Sequence, residues 1–205
     1  MTKKIIIYTS ILASLNGFGA VLAVRNISNT GNELAFANSD SNLLSSGFVG
    51  IYTFASGEIP STAAALKANG TNGILGSIEI IAGNSPDAGA FSSQLNFIND
   101  SAGDLYIVIG TGATAADSDD LALINANLMA DGDDTPTPDD LGSLNLSTPE
   151  DVLIGSVAPG TVDWTNTGRS AFEANILSLS AAIPEPSSVL LLGIGFLAAG
   201  ARRRR

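Results

Sequence analysis

Carboxylates are the side chains of this sequence that could support chemistry, and they are densest between positions 117 and 140. Clustered carboxylates repel one another, and a hard cation such as Ca²⁺ relieves the repulsion by accepting several oxygens at once. Three of them have the spacing that opens a calcium loop: Asp131, Asp133 and Asp134. The pattern then departs from the EF-hand, because Pro136 stands where glycine is needed and Gly142 where a bidentate glutamate is needed. Two interpretations stay open, a calcium site and a solvated loop whose charge keeps the protein soluble.

Cysteine and histidine are absent from the 205-residue sequence. Their absence excludes Ser-His-Asp and Cys-His catalytic systems, zinc sites with the usual ligands, and disulfides. Hydrolysis of a glycoside needs only two carboxylates, but the candidates stand on separate runs with no motif around them: Glu58, Glu79, Glu150 and Glu173. The sequence therefore predicts a protein that is not an enzyme and has no cofactor beyond the calcium considered above. A secreted hydrolase with a carboxylate pair is the catalytic alternative.

Charge separates the middle of the chain from its ends. The whole sequence has a formal charge of -11, and residues 24–182 hold 19 acidic side chains against three basic ones, Arg25, Lys67 and Arg169. A surface with this excess of negative charge repels the phosphate backbone. We therefore expect no nucleic-acid partner.

Positions 1–23 have the order of a secretory signal. Two lysines, Lys3 and Lys4, precede apolar runs at 5–8 and 11–15, and small residues suited to signal peptidase close the segment at Val21 and Ala23. Basic residues hold the start in the cytoplasm while the apolar stretch enters the translocon. The sequence thus predicts a signal peptide over 1–23, cleaved after Ala23. A permanent N-terminal anchor or a buried first element is the alternative.

The other end, 183–205, has three parts in a fixed order. The motif Pro184-Glu185-Pro186 and Ser187 comes first, and its prolines favour an extended chain ahead of the apolar run. That run, 189–201, is shorter than the roughly 20 residues that span a bilayer. Serines at its start and the arginine stems at its end can extend it, which gives a span of about 187–201. The basic tail stays cytoplasmic and leaves the body outside the inner membrane: Arg202, Arg203, Arg204 and Arg205.

These residues resemble the PEP-CTERM sorting signal of Gram-negative bacteria that possess an exosortase. The resemblance implies that exosortase, an integral membrane enzyme of the cysteine protease kind, recognises Pro184-Glu185-Pro186 and removes the tail during transit. It also implies a transient inner-membrane anchor, then a cell-surface or extracellular location in which extracellular polysaccharide is a partner. The body, for instance around 39–47, resembles only β-rich proteins of unknown activity that are fused to the same tail.

Residues 24–182 show short runs rich in β-branched and aromatic residues, separated by Gly, Asn, Asp and Ser clusters. This spacing is typical of a sandwich or barrel. We expect a mainly β fold: a single antiparallel β-sandwich-like domain with one or two short helices, between a signal helix and a C-terminal transmembrane helix. One helix is predicted near 61–68, and 119–129 fits either a second helix or a strand. The stretch 159–170 is predicted to be a loop.

The sequence favours a structural or interaction protein of the cell surface or extracellular matrix, sorted through its tail. A carbohydrate- or calcium-binding surface module is the alternative. For carbohydrate, the candidate is Trp164, either as a sugar-stacking platform or as an aromatic packed over the edge of the core.

Overall fold

The computed structural model describes residues 20–27, 33–55, 58–70, 72–80, 87–97, 103–130, 140–146 and 151–183. These ranges are mainly β-strand, as the spacing of turn residues predicts. Their strands are β1 Ala20–Arg25, β2 Leu34–Ala37, β3 Gly47–Thr53, β4 Ile74–Ile80, β5 Ser92–Phe97, β6 Gly103–Gly110, β7 Asp120–Ala130, β8 Asp140–Asn145, β9 Val152–Ile154, β10 Ser156–Trp164, β11 Arg169–Ser178 and β12 Ser180–Ala181.

The largest sheet has six strands. Its order is β12-β7-β6-β3-β4, and β9 also pairs with β7. Every pairing in it is antiparallel. Strand β6 lies between β3 and β7, and its apolar run Tyr106-Ile107-Val108-Ile109 is buried. This agrees with the continuous hydrophobicity of the run, which is typical of a strand covered on both faces.

The other two sheets have three strands each, in the orders β5-β1-β8 and β10-β11-β2. In each of them one pair is parallel: β1 with β8, and β11 with β2. The expectation of antiparallel sheets is therefore wrong for these two pairs. Parallel partners must be joined by a long crossover, and here they come from distant parts of the chain, where local sequence patterns carry no information about the pairing.

All three sheets contribute to one hydrophobic cluster. Leu22 and Val24 enter it from β1, Phe36 from β2, Ile107 from β6 and Leu177 from β11. Each of these side chains is fully buried. Burial of a large aliphatic side chain contributes about 1.5–3 kcal/mol, so the cluster is a principal source of stability.

A buried asparagine joins the two smaller sheets. The Asn26 amide nitrogen donates hydrogen bonds to the carbonyl oxygens of Leu34 (2.8 Å) and Gly89 (2.7 Å). Its carbonyl oxygen accepts from the Phe91 backbone N–H (2.6 Å). A buried amide is tolerated when its donors and acceptor are all bonded, and these bonds hold the end of β1 against β2 and against the loop that precedes β5.

One α-helix, α1 Ala63–Asn69, lies in the described ranges. The Thr62 hydroxyl accepts from the Ala65 backbone N–H (3.1 Å), and Gly70 ends the helix. This is an N-cap and a glycine stop, as predicted for 61–68. In the second segment, 119–129, residues from Asp120 onward belong to strand β7 and form no helix.

The prediction of a loop over 159–170 is wrong. Strand β10 runs through Pro159 to Trp164, a 3-10 turn follows at Thr165–Thr167, and β11 begins at Arg169. Proline lacks a backbone N–H and is excluded from central strands, but β10 lies at the edge of its sheet, where β11 is its one partner among the described strands. The edge position explains how the strand accommodates Pro159.

Candidate functional site

The body ends in a short strand that is held on the largest sheet. In β12, Ser180 pairs with Leu121 and Ala181 with Asp120 of β7. The next residue, Ala182, donates its backbone N–H to the Asp119 carbonyl oxygen (2.7 Å). Ala182 is 4% exposed, so the folded body extends to this residue.

Ile183 marks a sharp change in exposure. It follows buried Ala182 directly and is 72% exposed. It lies at the rim of an open cavity of about 350 Å³, which is lined by the start of α1, β9 and β12. Leu153 of β9 lines the same cavity and is also exposed. The chain therefore leaves the body at an accessible edge, one residue before Pro184.

The predicted tail residues lie outside the described residues: Pro184, Glu185, Pro186, Ser187 and Arg202 to Arg205. The same is true of the predicted span at about 187–201 and of residues 1–19 of the predicted signal. Among the residues that are described, no helix has the length and apolarity needed to cross a bilayer. The signal helix and the transmembrane helix stay predictions.

The two residues of the predicted signal peptidase site lie in β1. Val21 pairs with Asn96 of β5 and with Asp140 of β8, and Ala23 pairs with Gln94 and Ser143. Leu22, between them, is fully buried in the shared core. The structure therefore places the predicted cleavage position inside a strand paired on both sides.

The acidic segment is described only in part. Asp131, Asp133 and Asp134 lie outside the described residues, so their calcium site stays a prediction. Of its earlier members, Asp117 accepts from the Thr114 hydroxyl (2.8 Å), and the exposed Asp119 carboxylate lies 3.5 Å from Lys67 Nζ. Within the described ranges no group of three potential ligands converges on one point.

Trp164 is packed in the interior. Its side chain is fully buried, its indole N–H donates to the Ala88 carbonyl oxygen (3.0 Å), and its ring meets Phe172 edge to face at 5.3 Å. Arg169 lies over the ring of Phe172 and forms an ion pair with buried Glu33. The structural interpretation of Trp164 is confirmed, and a sugar-stacking platform built on its ring is excluded in this conformation.

A second cavity, of about 230 Å³, lies between the end of β3 and the start of β4. Glu58, Asn69 and Asn72 line it together with the partly exposed Phe54. The Phe54 ring packs against two tyrosines, with its ring centroid 6.1 Å from that of Tyr52 and 5.2 Å from that of Tyr106. Burial raises the pKa of Tyr52 to about 12. Burial, together with the nearby Asp104 carboxylate, raises the pKa of Tyr106.

The carboxylates considered for glycoside hydrolysis have separate places where they are described. Glu58 is at this second cavity, whereas Glu173 is on β11 and accepts from the Thr161 hydroxyl (3.0 Å). The side chain of Glu79 and all of Glu150 lie outside what the structure describes. A hydrolase pair therefore gains no support from the described residues.

Sequence reasoning missed the attachment of the tail to the body. The segment Ser180-Ala181-Ala182 consists of small residues that are equally typical of a linker. Its strand character comes from β7, which lies about 60 positions earlier in the chain. No local pattern could have shown it.

Comparison with known families identifies the tail. The family model of the PEP-CTERM protein-sorting motif matches residues 182–205 at the C-terminus. The motif supports exosortase-dependent sorting of an exported protein and implies export toward the cell surface. Comparisons with curated proteins and with solved structures gave no match. The first residue of the matched region, Ala182, is also the last buried residue in the part of the chain that the structure describes.

Proposed function

We propose that this chain, which carries the PEP-CTERM sorting motif, is a structural or interaction protein of the cell surface or extracellular matrix. The β-rich body is the delivered part, and the tail is the part that exosortase removes. No catalytic step is assigned to the body. Its acidic, folded surface acts by contact with matrix components such as extracellular polysaccharide.

The junction at Ala182 and Ile183 is the observation that supports this proposal most directly. Ala182 is bonded into the largest sheet, and Ile183 is exposed at its edge, immediately before Pro184. A protease needs an accessible, extended segment, and the two prolines of the motif favour extended backbone. The described part of the body thus ends at an exposed residue directly before the motif, so a cut at the motif would leave the core intact.

In the proposed sequence of events, the translocon exports the chain and signal peptidase removes the leader. The apolar run of the tail then stops in the inner membrane, with Arg202 to Arg205 on the cytoplasmic side. Exosortase recognises Pro184-Glu185-Pro186 and releases the body toward the surface. The membrane-anchored form is therefore an intermediate.

A motif variant tests the proposal in the native host. The double variant Pro184→Ala, Pro186→Ala should accumulate in the membrane fraction with its tail, while the wild type appears at the surface without it. Pro159→Ala is the matched control, because it removes an exposed proline from the edge strand β10 and leaves the motif intact. We expect the control to be sorted like the wild type. Equal processing of all three proteins would contradict the proposal.

The cavity at Glu58 favours carbohydrate binding as the second candidate function. A carboxylate, two amides and a partly exposed aromatic ring are groups that bind sugar hydroxyls and sugar faces. If the body binds the matrix polysaccharide here, Glu58→Gln and Phe54→Ala should each weaken binding to it in a pull-down with host polysaccharide. Glu173→Gln, a change on the distant β10-β11 pair, is the control. Binding that is unaffected by the Glu58 and Phe54 variants would exclude this cavity.

A further inference from the structure

The first strand of the body begins before the signal peptidase site that the small residues at 21 and 23 suggest. Strand β1 starts at Ala20, and six consecutive residues of it pair with β5, from Ala20 with Phe97 to Arg25 with Ser92. Its other edge pairs with β8. Strand β1 is therefore the central strand of its sheet.

Cleavage after Ala23 would remove the first four residues of this central strand. The β5 residues from Gln94 to Phe97 would then have no partner in β1. The hydrophobic cluster shared by the three sheets would also lose Leu22, which is fully buried. Only Val24 and Arg25 would remain to separate β5 from β8. An exported body that folds after processing needs its buried strand residues, since loss of a large core side chain leaves a cavity and removes apolar burial.

A second position for cleavage lies just before the strand. Gly17, Phe18 and Gly19 form a small-x-small pattern that ends at the start of β1. With this site, the apolar region runs from Ile5 to Leu15, within the length of roughly 7–15 residues that a signal requires. The polar break at Asn16 then falls where the apolar region should end.

We infer that signal peptidase cleaves between Gly19 and Ala20, so that the mature protein begins with the first residue of β1. The inference rests on the proposed export of the chain and fixes the boundary of the exported body. It assigns Gly17 and Gly19 as the two small residues read by the peptidase. Val21 and Ala23 belong to the fold.

The N-terminus of the exported protein tests this assignment. Wild-type protein is purified from the cell-surface or extracellular fraction of the native host. We expect its N-terminal sequence to be Ala20, Val21, Leu22. A first residue at Val24 would overturn the assignment and leave the export proposal standing. An intact Met1 on protein confined to the membrane would contradict the export proposal itself.

Two reciprocal substitutions add a readout that does not depend on sequencing. Gly19→Val places a branched side chain at the residue before the inferred bond, so it should leave the leader attached. Ala23→Val places the same side chain before the alternative bond, between Ala23 and Val24. Valine is favoured in strands, so this variant should fold and be processed at the wild-type rate. Pulse-labelling and gel mobility separate the two forms. Normal processing of Gly19→Val together with a block in Ala23→Val would overturn the assignment.

Discussion

At the scale of single residues, Asn26 holds parts of the body together that are far apart in sequence. Replacing it with alanine removes its three side-chain bonds and leaves the buried Phe91 N–H without its partner. Because each buried unsatisfied group costs about 1–3 kcal/mol, we expect Asn26→Ala to lower the free energy of unfolding by about 2–4 kcal/mol.

Urea denaturation of the purified protein measures this change. Asn38→Ala is the control, because that asparagine also accepts backbone hydrogen bonds, from Asp40 and Asn42, but does so in an exposed turn. The control should lose about 1 kcal/mol or less. A similar decrease in the free energy of unfolding in both variants would show that burial of Asn26 does not add to the stabilising effect of its hydrogen bonds.

Tyr52 predicts a pH dependence of stability on the alkaline side. Its hydroxyl is buried and donates to the Gly70 carbonyl oxygen (3.2 Å), and burial raises its pKa from 10.0 to about 12. The unfolded chain therefore loses this proton at a lower pH than the folded protein does. Tyr52 contributes stability that is complete below pH 10.0 and is lost as the pH rises toward about 12.

Tyr52→Phe removes this titration, so the variant should lose less stability than the wild type between pH 10 and about 12. Urea denaturation at a series of pH values measures the difference. Tyr106→Phe provides the comparison, since the pKa of Tyr106 is also raised and part of the alkaline decline should remain in each single variant. Parallel curves for wild type and Tyr52→Phe would contradict the account.

At the scale of elements, β12 is the strand that joins body and tail, and a disulfide can test its place. Ala181 and Asp120 face each other across β12 and β7. The bond from Ala182 N–H to Asp119 C=O makes the adjoining pair hydrogen-bonded, so Ala181 and Asp120 form the closer, non-hydrogen-bonded pair. This geometry suits a disulfide, and the chain has no cysteine to compete.

The variant Asp120→Cys, Ala181→Cys should oxidise within one molecule and become more stable. In the chain-entropy model, a disulfide that closes a loop of about 60 residues raises the free energy of unfolding by about 4 kcal/mol. Thiol titration and thermal unfolding, with and without reductant, measure the two effects, and the single variants are controls. Free thiols or disulfide-linked dimers would show that β12 does not lie on β7.

An element could be predicted from the sequence when its own residues determine its structure, and could not when a distant partner strand does. Strand β6 and helix α1 carry local patterns, namely a continuous apolar run and a capped turn, and both patterns agree with the structure. Strand β10 was missed because Trp164 stands amid polar residues there, a local pattern typical of a loop, whereas the strand forms by pairing with β11. Strand β12 consists of small residues that gain strand structure from a partner far away in sequence.

At the scale of the whole molecule, the sorting tail was predictable because its features are consecutive in the sequence and do not depend on folding. The motif, apolar run and arginines follow one another in the sequence, and the family comparison confirms the motif at 182–205. The end of the body was harder to place, since it depends on the pairing of Ala182 with β7. The start of the body depends in the same way on the pairing of β1 with β5 and β8.

The most direct test of the account measures the C-terminus of the surface form. Intact-mass analysis, with mapping of the C-terminal peptide, compares protein from the native host with protein from the same host lacking exosortase. The account predicts that the wild-type surface form ends near Pro184 to Pro186 and lacks Arg205, while the exosortase-deficient host keeps the complete tail in its membrane fraction. A surface form that still ends at Arg205, or loss of the tail in both hosts, would contradict it.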